Sequence, residues 1–167
     1  GADFFNAVDE IKTRLNALPL VLQIPIGAED RFEGVVDLVR MQRIVWDDDS
    51  LGASFSATPV TAEEDPQIGL YREKLLETLA EVDDNIMEAY LGEDAIDAGM
   101  IQNAVRRATI DLKLVPVLCG SALKNKGVQP LLDAVVEYLP SPLDIPPISG
   151  VHPDTGDPIE CPSRDSA

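Results

Sequence analysis

The sequence predicts an α/β fold, and three features carry that expectation. Residues 20–46 and 114–119 are rich in branched and aromatic side chains, as strands are. Residues 3–15, 67–91 and 97–113 repeat apolar side chains at helical spacing. Residues 114–139, LVPVLCGSALKNKGVQPLLDAVVEYL, run from an apolar strand through a small-residue turn into an amphipathic helix.

The elements follow in order. Phe4, Val8, Ile11 and Leu15 line one side of a helix over 3–15, with Asp3 placed to cap it. LVLQIPI, FEGVVDLVRM and RIVW read as two or three short antiparallel strands, punctuated by Gly27 and Gly34. DDDSLGASFSATPVTAEEDP reads as a polar, turn-rich connector. Residues 67–91 read as one long helix. Leu75, Leu79, Val82, Ile86 and Tyr90 share one face, and Glu77, Glu81, Asp84 and Glu88 the opposite one. The helix expected over Asp97–Lys113 turns Ile101, Ala104, Val105, Ala108 and Leu112 inward. A strand at Leu114–Cys119 and a helix at Val128–Leu139 complete the pattern. Seven of the 13 prolines fall in Pro140–Ala167, so the tail reads as an extended linker.

Composition narrows the function. A formal charge of −17 argues against direct duplex nucleic-acid binding, which needs clustered Lys and Arg, and suits a basic protein partner. No apolar run reaches the roughly 18–20 residues of a membrane span. The N-terminus lacks the basic and apolar leader of a secreted chain, and the expected compartment is the reducing cytoplasm. Cys119, Cys161 and the lone His152 do not have metal-ligand spacing, so no metal site is expected. The carboxylate runs Asp47-Asp48-Asp49 and Glu63-Glu64-Asp65 read as solvated loops, and no catalytic residue is assigned.

Two places stand out as candidate sites. Gly120–Gly127 follows the carboxyl end of an apolar strand, where open α/β sheets bind ligands. Ser121 and Ala122 are small enough for backbone N–H groups to approach a planar ligand; an ordinary βα loop is the alternative. The second is the stripe Glu77, Glu81, Asp84 and Glu88. Like charges at i, i+4 spacing cost roughly 0.2–0.5 kcal/mol each, which a basic partner would relieve. A solvated helix face is the alternative there. No GxxxxGK[ST] phosphate loop occurs, and Asp49-Ser50-Leu51-Gly52 matches an Asp-x-x-Gly string too short to weigh.

The combination resembles elongation factor G, the translocase among translational GTPases. GADFF opening a helix, LQIPIGAEDRFEGVVDLV, WDDDSLGASF, YREKLLETLAE, NAVRRAT and above all LCGSALKNKGVQPLLDAVVEYLPSPLDIP carry the likeness. The resemblance implies the C-terminal part of a P-loop GTPase sheet with an inserted α+β subdomain. Residues 1–17 and 114–148 would belong to the GTPase domain, 18–113 to the insertion and 149–167 to a linker. It implies that Gly120, Ser121, Ala122 and Leu123 contact guanine, with backbone N–H groups of the Ser-Ala pair near the guanine oxygen and Lys124 beside the base. It implies that Glu77, Glu81 and Asp84, with Glu88 continuing their stripe, meet the basic stalk protein of the ribosome. GTP or GDP with Mg²⁺ would serve the longer parent protein. The first four nucleotide motifs and the switches are missing from this sequence, as if it were cut from something larger. The chain alone is therefore expected neither to hydrolyse GTP nor to bind it tightly, and Leu114–Cys119 to lack one or both strand neighbours. An acidic interaction module without nucleotide chemistry is the rival reading.

Overall fold

The computed structural model describes residues 3–47, 50–144 and 146–161. Helix α1 spans Phe4–Leu15, and the Asp3 carboxylate accepts from the Asn6 N–H at 3.1 Å, the cap expected from sequence. α1 lies over the core: Phe5 stacks on Tyr71 with ring centroids 5.1 Å apart.

The apolar run after α1 splits between two sheets. β1, Pro19–Val21, pairs in parallel with β6, Val115–Val117. β2, Gln23–Ile26, opens an antiparallel meander with β3, Gly34–Asp37, β4, Gln42–Trp46, and β5, Phe55–Pro59. Leu22 joins the sheets: its N–H donates to the Val117 carbonyl and its carbonyl accepts from the Leu38 N–H, both at 2.9 Å. Among the described residues β6 has β1 as its one strand neighbour.

β5 corrects the connector expected after Trp46. Every residue of β5 is exposed, so the apolar signal by which strands are recognised is missing. Its backbone nevertheless completes the β4 edge, in the register Ile44↔Ala57 and Trp46↔Phe55.

The single helix expected over 67–91 is two. α2 spans Pro66–Ala80 and α3 spans Asp84–Leu91. Asp83 causes the break. Its Oδ1 accepts from the Asn85 and Ile86 N–H groups, and its Oδ2 accepts from Arg107 at 2.6 Å. A capping carboxylate fixed by an arginine starts a new helix where apolar spacing alone would continue the old one.

α4 spans Ala98–Ile110 and buries Ile101, Ala104, Val105 and Ala108 as expected. Leu112 departs from that expectation: the helix has ended, its φ is +57°, and it is 91 % exposed. α5 spans Val128–Tyr138. The Pro-rich tail is not wholly extended linker, because β7, Ile148–Val151, and β8, Pro158–Cys161, pair as an antiparallel hairpin.

Strand alternation gives the meander two apolar faces. Ile24 and Val36 join Leu20, Leu38, Leu75, Leu79, Ile86, Ile101 and Val105 in the main core. Val35, Ile44 and Trp46 form a smaller cluster with Phe32, and Cys119 packs against it. Arg72 ties α2 to this frame by donating to the Leu38, Val39 and Ile96 carbonyls. Arg106 ties α4 to the end of α5 through the Glu137 and Leu139 carbonyls, at 3.0 and 3.1 Å, and Asp144 at 2.7 Å. The Ser141 hydroxyl and amide, together with Arg106, hold the Asp144 carboxyl below its ordinary range.

Candidate functional site

The turn between β6 and α5 is a tight hairpin. Ser121 and Lys126 face each other: the Ser121 N–H donates to the Lys126 carbonyl at 2.9 Å, and the Lys126 N–H donates to the Ser121 carbonyl at 3.1 Å. The Asn125 N–H donates to the Ala122 carbonyl at 3.2 Å and closes the tip. Asn125, at φ +58°, returns the chain in the left-handed region that Asn tolerates.

Gly127 fixes how the hairpin meets the helix. Its φ is +90°, and a Cβ there would lie 2.9 Å from both the Cys119 carbonyl oxygen and the Gly120 Cα. The two backbones therefore cross with no room for a side chain between them. α5 starts immediately beyond this crossing, so tip and helix move together.

The expected site residues are brought together at an accessible place. Ser121 is half-buried, Ala122 is exposed, and the Leu123 side chain is 98 % exposed. Ala122–Lys126 line an open depression with Asp47, Leu51 and Gly52. The Ser121 N–H is committed to the hairpin, whereas among the described residues the Ala122 N–H donates to no protein group. Lys124 lines the depression, and its Nζ donates to the Asp30 carbonyl. Behind the hairpin, burial pushes the Cys119 thiol up to about 12, so Cys119 is a neutral packing residue.

The acidic stripe is assembled differently from the expectation. Glu77 lies on α2, Glu81 caps its C-terminus, and Asp84 and Glu88 lie on α3 beyond the break. All four are exposed. Among the described residues none of them forms an ion pair. Glu77 and Glu81 also border a groove between α1 and α2 that holds Lys12 and Lys74.

Asp48 and Asp49 lie outside the described residues, so neither the Asp47–Asp49 run nor the start of the Asp-x-x-Gly string is described structurally. Among the described residues no three His, Cys, Asp or Glu side chains gather as a metal-ion group. No helix among them is long and apolar enough to cross a membrane.

Sequence reasoning missed the supports of the hairpin. The Leu51 carbonyl accepts from Asn125 of the hairpin and the Gly52 carbonyl from Gln129 in the first turn of α5, each across more than 70 residues of chain. Only the short Asp49–Gly52 string pointed to that loop, and it was too brief to weigh.

A parallel strand pair whose carboxyl end opens into a glycine-hinged hairpin and a helix places the chain among mixed α/β proteins. Comparison with known proteins narrows the class. The family model described as Elongation factor Tu GTP binding domain matches residues 2–141, and the chain belongs to that family. It is 53% identical over 156 residues to Elongation factor G of Amoebophilus asiaticus (strain 5a2), an alignment covering 93% of this chain and 22% of that protein. A crystal structure of a protein from Thermus thermophilus superposes with a TM-score of 0.71 at 23% identity, covering 96% of this chain and 25% of that one, a likeness of fold. The chain thus spans about a fifth of the length of its curated relative.

Proposed function

We propose that this chain supplies the guanine-contact turn and a partner-docking face of a ribosome-associated GTPase of the elongation factor G type. The parent activity would be GTP hydrolysis coupled to movement of transfer and messenger RNA on the ribosome, in the cytoplasm. The observation that carries the reading is the exposed hairpin tip, where among the described residues the Ala122 N–H donates to no protein group while the Ser121 N–H is held by the hairpin. The narrow tip suits the edge of a purine. The Ala122 amide would donate to the guanine oxygen, and the free Leu123 side chain would cover one side of the base. Gly120 and Gly127 would hold the tip at a fixed distance from the strand, and Ser121 would keep the hairpin closed.

GTP or GDP would bind with Mg²⁺ in the longer parent. The Mg²⁺ ligands and the phosphate loop have no counterpart in this sequence, so the residues here would hold the base and no more. The chain alone is expected to show no micromolar affinity for GTP and no hydrolysis, since phosphate and metal contacts carry most of catalysis in this class. Isothermal titration of the 167-residue chain with GTP checks this; saturable micromolar binding would contradict it.

Glu77, Glu81, Asp84 and Glu88 would meet the basic stalk protein of the ribosome. Their support is exposure and the absence of internal ion pairs among the described residues. Changing Glu77, Glu81 and Asp84 to lysine should weaken binding to an isolated basic stalk domain and flatten its salt dependence. Unchanged affinity and salt dependence would show the docking face to be elsewhere. The same charges also favour a second reading, an acidic interaction module without nucleotide chemistry. That reading predicts the same loss on reversal but no effect of any hairpin substitution on a guanine nucleotide.

A further inference from the structure

The guanine-contact hairpin does not stand alone: loops of the antiparallel sheet touch it at three points and the start of α5 at a fourth. Lys124 Nζ donates to the Asp30 carbonyl, and Lys126 Nζ donates to the Phe32 carbonyl at 3.5 Å. Asn125 Nδ2 donates to the Leu51 carbonyl at 3.3 Å. Gln129, in the first turn of α5, bridges two parts of the sheet. Its Nε2 donates to the Gly52 carbonyl at 2.8 Å while its Oε1 accepts from Trp46 Nε1 at 3.3 Å.

The loop that supplies Leu51 and Gly52 is itself braced. Ser50 Oγ donates to the Asp47 carbonyl at 2.7 Å and accepts from the Ser54 N–H at 3.1 Å. Gly52 then presses directly on the hairpin. At its φ of +85°, a Cβ would lie 2.3 Å from the Asn125 carbonyl oxygen and 2.7 Å from the Asn125 Cβ. A methyl group at residue 52 would therefore have to push Asn125 away, and Asn125 closes the tip that presents Ala122.

We propose that Gly52 and Gln129 are positioning residues for the guanine contact: the β4–β5 loop sets where the Ala122 N–H points, so the sheet regulates recognition of the purine oxygen. This rests on the guanine-contact reading of the hairpin. It also gives the Ser50-Leu51-Gly52 segment a role that its short motif match did not. A displacement of Leu51 and Gly52 would reach the tip and the start of α5 through Asn125 and Gln129, which donate to their carbonyls.

The test compares two ligands in the full-length protein, which would carry all the nucleotide motifs. One is GDP; the other is the diphosphate of 2-aminopurine riboside, which keeps the 2-amino group and lacks the oxygen at position 6. Gln129→Leu and Gly52→Ala should each weaken GDP by about 3- to 10-fold, the size expected for one hydrogen bond lost or misplaced. Binding of the analogue should stay within about twofold. Gln129→Glu keeps the acceptor for Trp46 but loses the donor to Gly52, and should behave as the leucine variant does. Hydrogen exchange at the Ser121 and Lys126 amides, read in the same variants, shows whether the hairpin remains closed. Equal weakening of both ligands, or of neither, with the hairpin closed would overturn the positioning role. An unmodified protein that binds both ligands alike would instead overturn the guanine reading itself.

Discussion

One face of the β2–β5 sheet closes on α2, α3 and α4 with side chains that are almost wholly apolar: Ile24, Val36 and Leu38 against Leu75, Leu79, Ile86, Ile101 and Val105. The opposite face meets α5 and the hairpin through a small apolar cluster and a set of polar links. Arg40 reaches both Asp37 and Glu137, Trp46 reaches Gln129, and Gln129 reaches Gly52. A cavity of ≈ 200 Å³ remains on that side, bordered by Gln23, Asp37, Arg40 and Glu137, and among the described residues the buried Gln23 Oε1 has no protein partner. The two faces separate the part of the molecule that is a block from the part that is a joint. Close-packed apolar surface resists displacement, because every shift opens voids. Hydrogen bonds across a partly filled seam exchange with water at little net cost. The candidate site sits on the seam.

That contrast can be broken by substitution. The largest losses are expected on the packed face. Leu79→Ala and Ile101→Ala, both 0 % exposed, should each cost about 2–5 kcal/mol in urea denaturation. Values no larger than those for α5-face variants would erase the distinction. Next comes Arg72→Met, which removes the donor serving the Leu38, Val39 and Ile96 carbonyls and should cost about 1–3 kcal/mol. Asp83→Ala should cost about 0.5–2 kcal/mol by removing the cap that starts α3. It should also lower helicity in far-ultraviolet circular dichroism, because α3 loses its start. Gln129→Leu, on the seam, should cost about 1–2 kcal/mol, because the buried Trp46 Nε1–H loses its acceptor. A loss as large as that of Leu79→Ala would mean that the seam is also a block.

The last expected effect is a pH dependence, absent near neutral pH and confined to alkaline solution. Burial raises the Cys119 thiol from 9.0 to about 12, so the folded state favours the neutral thiol. Its contribution is complete below about pH 9 and is lost as pH rises toward 12. Alkylation of Cys119 at pH 8 should accordingly be slow in the native protein and fast in denaturant. Equal rates would place the thiol outside the α5-face cluster.

Much of this was legible in the sequence, and the exceptions share a cause. Asp3, Ile101, Ala104 and Val105 behave as their local pattern dictates, because capping and helical burial are short-range matters. β5 escaped notice because an exposed edge strand carries no burial pattern; only the β4 edge recruits it. The α2–α3 break escaped because Asp83 is held by Arg107, a residue 24 positions away. Leu112 turned outward because the helix stopped two residues before it. At the candidate site, the Gly-Ser-Ala turn was visible from its own residues. Its supports at Leu51, Gly52 and Asp30 were not, since no local rule brings the β4–β5 loop beside a hairpin that follows it by more than 70 residues.

The most direct test concerns the Ala122 amide at the hairpin tip, which among the described residues donates to no protein group. Ala122→Pro removes that N–H, which takes no part in the Ser121–Lys126 pairing, and hydrogen exchange at the Ser121 and Lys126 amides checks that the pairing persists. In the full-length protein, it should weaken GDP about tenfold and leave the analogue without the position-6 oxygen unchanged. Undiminished GDP binding by this variant would contradict the assignment of the tip to guanine.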